Sequence, residues 1–162
     1  MGATVLSTTR RPQRLERLAE LGVDHPLLDD GEIAGAVRAI APDGVDAALE
    51  LVGTPTLPDT LLATRVHGTV CFTGMVANAW VVRDFYPIGY IPTGVRLTAY
   101  GGEAQDLPAA VLQRHLDAIA AGRFALPVHR VYELDEIAEA HAAMERNEAV
   151  GKLVVRVRHR RR

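Results

Sequence analysis

The chain has 162 residues, 48% of them apolar and 23% charged, with a formal net charge of −2. That composition fits one ordinary domain, or one domain with part of another, and excludes a globally disordered chain. The near-neutral balance gives no electrostatic basis for nucleic acid as a main partner, and no apolar run approaches the length of a membrane span. The single cysteine, Cys71, leaves no internal disulfide framework and fits a reducing compartment. No signal-like segment opens the chain, so the cytoplasm is the expected location.

In chain order, Ala3 to Ser7 is a short apolar run ending in Thr8-Thr9 and predicts a buried strand. Pro12 suits a first helical turn, Leu15, Leu18 and Leu21 mark one helical face, and Gly22 ends it. Asp24 to Leu28 predicts a second strand, with Pro26 confining it to a sheet edge. After Asp29-Asp30, the spacing of Ile33, Ala36, Val37 and Ile40 predicts a helix that Pro42 stops. Val45 to Val52 reads as a third strand. Thr54-Pro55 opens a helix carrying Leu57, Leu61 and Leu62, and Thr69 to Thr73 is a fourth strand. Strands alternating with helices of about three turns form a parallel sheet covered on both faces, so the class is α/β.

The rhythm changes after Gly74. Met75 to Gly94 has no clean period and predicts loop and short extended structure. A strand follows from Arg96 to Tyr100, ending at Gly101-Gly102. Asp106 and Pro108 then open a helix with Val111, Leu112, Leu116 and Ile119 on its apolar face and Gly122 after it. A short strand near His129 to Tyr132 precedes a helix capped by Asp135, with Ile137, Ala140 and Met144 inward. Lys152 to Val157 is the last strand, and a basic tail closes the chain at 158–162. A solvated, frayed end is the expected state of that tail.

Ligands of open α/β sheets bind beyond the carboxyl ends of the strands. That rule singles out Thr8 to Arg14, Asp29-Asp30, Val52 to Thr54 and Thr73 to Met75. An NAD site usually places an acid at the end of its second strand, to bond the ribose 2′-hydroxyl. Here the stretch is Ser7-Thr8-Thr9-Arg10-Arg11 with Arg14 a turn later. Hydroxyls and guanidinium groups suit a 2′-phosphate, and they equally make a solvated basic turn. Gly53 and Gly74 either admit a close ligand or serve ordinary turns. His115 and His141 read as partly buried packing residues, and Cys71 as a small core residue. Nothing has zinc-ligand spacing, so no metal site is expected in this chain, and no G-x-S-x-G elbow supports hydrolysis.

Taken together these segments resemble the medium-chain dehydrogenase/reductase superfamily, in particular its zinc-free, quinone oxidoreductase-like branch. Gly2-Ala3-Thr4-Val5-Leu6-Ser7-Thr8-Thr9-Arg10 resembles the family's second Rossmann strand, and Leu18-Ala19-Glu20-Leu21-Gly22-Val23-Asp24-His25 its "LGADH" passage. Gly44 to Gly53 is similar to the "GVD…VG" strand, and His67 to Gly74 to the glycine-bounded strand near the nicotinamide. Val131-Tyr132-Glu133-Leu134, Glu139-Ala140-His141 and Val150-Gly151-Lys152-Leu153-Val154-Val155 resemble the family's ending.

The resemblance implies a Rossmann-like NADP-binding part over 1–101, a C-terminal piece of the catalytic domain over 102–157, and the tail. It implies NADP(H) as cofactor and hydride transfer to a quinone, enone or carbonyl. Thr8, Thr9, Arg10 and Arg14 fall where relatives hold the adenosine ribose and its phosphate. Val52 and Gly53 fall at the ribose end of the cleft, and Thr73, Gly74 and Met75 beside the nicotinamide. Lys152 matches a basic position that reaches the pyrophosphate, and as plain chemistry is also a solvated strand-end lysine. Arg96 to Tyr100 resembles the edge through which family homodimers join. Asp29 replaces a tyrosine seen near the 2′-phosphate, an unhelpful charge. No catalytic acid or base is identified. The family's first Rossmann strand, its glycine-rich loop and its GroES-like substrate domain would all precede Gly2, so the chain is expected to be incomplete as an enzyme. The absent strand would separate those at Ala3 and Val45. Those strands then either close up, or another chain fills the gap. The alternative function is a non-catalytic remnant or a partner-binding α/β module.

Overall fold

The computed structural model describes residues 2–157, apart from the side chain of Ala104. The expected basic tail at 158–162 lies outside these residues. The chain divides into two compact units, with the boundary between Gly102 and Glu103.

In the first unit, β1 (Leu6–Thr9) pairs in parallel with β2 (His25–Leu28). Between them a 3-10 turn (Pro12–Arg14) leads into α1 (Leu15–Glu20). Gly22 ends α1 with φ +85°, while the amides of Val23 and Gly22 return to the carbonyls of Leu18 and Ala19. That double bond satisfies carbonyls the helix leaves open, and the left-handed residue it needs is glycine. β2 pairs only with β1 among the described residues, so Pro26 does sit in an edge strand.

α2 (Ile33–Ile40) leads to β3 (Val45–Glu50), α3 (Leu57–Ala63), β4 (Thr64–Phe72), a short helical turn α4 (Pro87–Tyr90) and β5 (Arg96–Ala99). These strands form one parallel sheet in the order β3-β4-β5. β4 begins five residues earlier than Thr69. Its register against β3 shifts between Val45 and Ala47, and His67 takes φ +65°. In Arg65-Val66-His67-Gly68 a single apolar residue stands among polar ones and a glycine, so this irregular half shows no apolar run. Leu57, Leu61, Val70 and Val95 are the buried centre, with Ala48, Phe72, Tyr90, Ile91 and Leu97 packed against it. Leu62 faces outward instead. Cys71 is half-buried rather than a core residue, because it alternates with Val70 across the sheet.

β1 and β3 do not close up. Among the described residues no ladder joins the β1-β2 sheet to the β3-β4-β5 sheet, and Leu49 in β3 is 69% exposed.

The second unit holds α5 (Ala109–Ala120), β6 (Val128–Glu133), α6 (Ile137–Glu145) and β7 (Lys152–Arg156), with β6 and β7 parallel. Gly122 (φ +67°) and Asn147 (φ +56°) end the two helices as Gly22 ends α1. Three expectations are corrected here. The cap before α6 is a reciprocal pair of Glu133 and Glu136, not Asp135. Ala140 and Ala143 are its buried residues, while Ile137 and Met144 are exposed. Leu112 and Leu116 of α5 are also exposed, as are His115 and His141, which therefore are not partly buried packing residues.

Candidate functional site

β3 and β4 run parallel and end side by side, with Glu50 opposite Phe72. The chain leaves β3 through Leu51-Val52-Gly53 and leaves β4 through Thr73-Gly74-Met75. Backbone bonds stitch the two exits together: the amides of Thr73 and Gly74 donate to the Glu50 carbonyl at 3.0 and 3.1 Å, and Ala77 donates to Val52 at 2.8 Å. A Cβ on Gly74 would stand 2.3 Å from the Leu51 carbonyl oxygen, so only glycine lets the strand ends approach this closely. Gly53 differs. Its φ is +131°, yet the nearest atoms to a Cβ there are the Met75 Cα at 3.6 Å and the Ala79 oxygen at 3.7 Å. The Thr73 hydroxyl donates to the Tyr100 carbonyl at 3.0 Å, tying this corner to the end of β5. Five of the expected contact residues (Val52, Gly53, Thr73, Gly74 and Met75) thus share one corner.

Beside it lies an apolar cleft of about 300 Å³ lined by Thr54, Leu57, Phe72, Trp80, Val82 and Leu97, with Thr98 and Ala99. Of its lining only Thr54 falls in the stretches that the strand-end rule singles out. Its signal was Trp80, the chain's one tryptophan, in a segment without periodicity.

The other expected group occupies the exit of β1. Thr8 and Arg10 are exposed, while Thr9 and Arg14 are half-buried. The Thr9 hydroxyl accepts from the Arg11 amide at 3.2 Å, and the Thr9 carbonyl accepts from the Asp29 amide at 2.9 Å. Asp29 is therefore tied to this turn through its backbone. Its carboxylate accepts from the Gly31 amide at 3.0 Å, a local turn bond that partly engages its charge. Lys152 opens β7 in the second unit, exposed, its amide donating to the Pro127 carbonyl.

Glu50 was not among the expected residues. It is 3% exposed, and its carboxylate accepts from the Val52 and Gly53 amides and the Thr56 and Thr60 hydroxyls. Burial, reinforced by the Glu50 charge, holds the nearby Tyr90 phenol above its ordinary value. The signal in the sequence was an acid inside an apolar strand, followed by threonines spaced one helical turn apart. Among the described residues no group of three or more His, Cys, Asp or Glu side chains is placed to hold a metal ion.

The family model for zinc-binding dehydrogenases matches residues 21–155. The chain belongs to this family. It is thus a member of the medium-chain dehydrogenase/reductase superfamily, as the motifs implied. A Schizosaccharomyces pombe protein described as "Probable quinone oxidoreductase" is 31% identical over 125 residues, covering 69% of this chain and 35% of that protein. The crystal structure of AibC superposes with a TM-score of 0.79 at 29% identity, over 95% of this chain and 42% of that one. A Pseudomonas syringae pv. Tomato DC3000 quinone oxidoreductase gives 0.79 at 19% identity, over 95% and 49%, and shows the fold alone. This dehydrogenase-family chain therefore spans half or less of the length of these relatives.

Proposed function

We propose that this chain is the nucleotide-holding part of an NADP(H)-dependent oxidoreductase that passes hydride to a quinone, enone or carbonyl. The observation that carries this is the corner where β3 and β4 end. Gly53 there has a left-handed φ and meets only ordinary contacts at 3.6 Å and beyond, while Gly74 lets the neighbouring strand ends close. A flat ring or ribose needs such bare backbone at the carboxyl ends of parallel strands. When bound, the nicotinamide supplies or accepts the hydride. The chain's own residues position it: Val52 and Gly53 toward the ribose, Thr73, Gly74 and Met75 toward the ring. Thr8, Thr9, Arg10 and Arg14 at the β1 exit supply hydroxyl and guanidinium donors for the 2′-phosphate. Lys152 is assigned to the pyrophosphate on the family resemblance alone. We assign no acid or base, no zinc, a cytoplasmic setting, and a homodimer through the free side of β5.

Fluorescence titration of the 162-residue chain with NADPH and NADH tests this. NADPH is expected to bind more tightly, and Arg10→Ala with Arg14→Ala to remove about tenfold of that preference, the worth of one charge-assisted hydrogen bond. Equal affinity for both nucleotides would remove the 2′-phosphate assignment. Flat titrations together with no quinone-dependent oxidation would sink the oxidoreductase reading. The second reading, a non-catalytic partner-binding module, draws on the unjoined β1 and β3 and the exposed Leu49 and Leu51.

A further inference from the structure

Glu50 combines burial, a charge-bearing side chain and a place between both glycine turns. Its Oε1 accepts from the Val52 amide at 2.8 Å, the Gly53 amide at 3.0 Å and the Thr56 hydroxyl at 2.9 Å, and its Oε2 accepts from the Thr60 hydroxyl at 2.5 Å. Its main-chain carbonyl accepts from Thr73 and Gly74. One residue therefore holds the first turn by its side chain and the second by its backbone.

A buried carboxylate is a costly way to fill a core position, and an apolar residue of similar size would be cheaper for stability alone. What the carboxylate adds is direction. Three donors converge on one oxygen, so Val52 and Gly53 must turn their amides inward, and Gly53 is kept at φ +131°. With every bond engaged and 3% exposure, Glu50 does not reach a substrate. We infer that Glu50 is a positioning residue, which sets the Val52-Gly53 turn against the Thr73-Gly74 turn and so shapes the dinucleotide cleft. This rests on the function proposed above, and the test separates the two.

The test compares Glu50→Leu and Glu50→Gln in the full chain, by residue-resolved amide exchange and by NADPH titration. In Glu50→Leu, exchange at Val52 and Gly53 should rise about tenfold or more while Leu61 and Val70 hold their protection. The NADPH dissociation constant should rise about tenfold. Glu50→Gln keeps an oxygen for the two amides and should recover most of both effects. Unchanged exchange at Val52 and Gly53 would overturn the inference. So would a uniform rise across the unit, which marks a residue that only stabilises the fold. A local rise in a protein whose parent binds no nucleotide would support the positioning role and refute the cofactor reading instead. If Glu50→Leu does not fold, Thr56→Val removes one of the three Oε1 donors, and about a threefold local rise is expected.

Discussion

Two glycines follow strands in this chain, and they do different work. At Gly74 the constraint is space, since an added Cβ meets the Leu51 carbonyl oxygen at 2.3 Å and the Leu51 Cα at 2.6 Å. Backbone cannot yield as a flexible side chain does, so Gly74→Ala should cost about 3 kcal/mol in urea unfolding. At Gly53 the constraint is conformation, and Gly53→Ala should cost about 1–2 kcal/mol. Equal losses would show that the strand ends are not pressed together as described. Both glycines were visible in the sequence as turn residues. Which one is crowded depends on Leu51, a neighbour only across the turn of the fold.

At the scale of elements, α2 and α3 cap one another. α2 has no side-chain cap of its own at Glu32. Asp59 of α3 supplies it, accepting from the Ile33 and Ala34 amides at 2.5 and 3.1 Å. Arg38 of α2 returns the favour at the other end, donating to the Leu62, Thr64 and Pro42 carbonyls. An acid at a helix start and a guanidinium at a helix end both complement the helix dipole. Asp59→Ala should cost about 1–2 kcal/mol, lowering Tm by roughly 3–6 °C. The exposed Arg38→Ala should cost less, about 0.5–1 kcal/mol. A larger loss at Arg38 in thermal melts would contradict this assignment. The glycine ends of α1 and α5 were legible because such caps are local. The cap of α2 was not, because it lies 25 and 26 residues away, although the helix itself was legible from Ile33 onward.

At the scale of the molecule, the parallel strands form separate sheets, and β3 shows one apolar face to solvent. Leu49 is 69% and Leu51 54% exposed. In a parallel sheet such residues are ordinarily covered on both faces, and an open strand edge with apolar side chains promotes association. Leu49→Lys should therefore change stability by no more than about 0.5 kcal/mol, as for any exposed site. It should also reduce concentration-dependent association in sedimentation. A large stability loss would mean that Leu49 is packed in solution.

By itself the sequence determined the α/β class, the order of strands and helices, the family, and the turn residues that end helices. These follow from apolar periodicity and from preferences acting within about one helical turn. Only the tertiary structure decided that β1 and β3 stay unjoined, that Asp59 caps a distant helix, and that Glu50 unites the two glycine turns. The reason is physical. The Glu50 carboxylate finds its donors within ten residues, at Val52, Gly53, Thr56 and Thr60. Its union with the second turn depends instead on the β3–β4 register, which brings the Thr73 and Gly74 amides to its main-chain carbonyl and which no local pattern in the chain encodes.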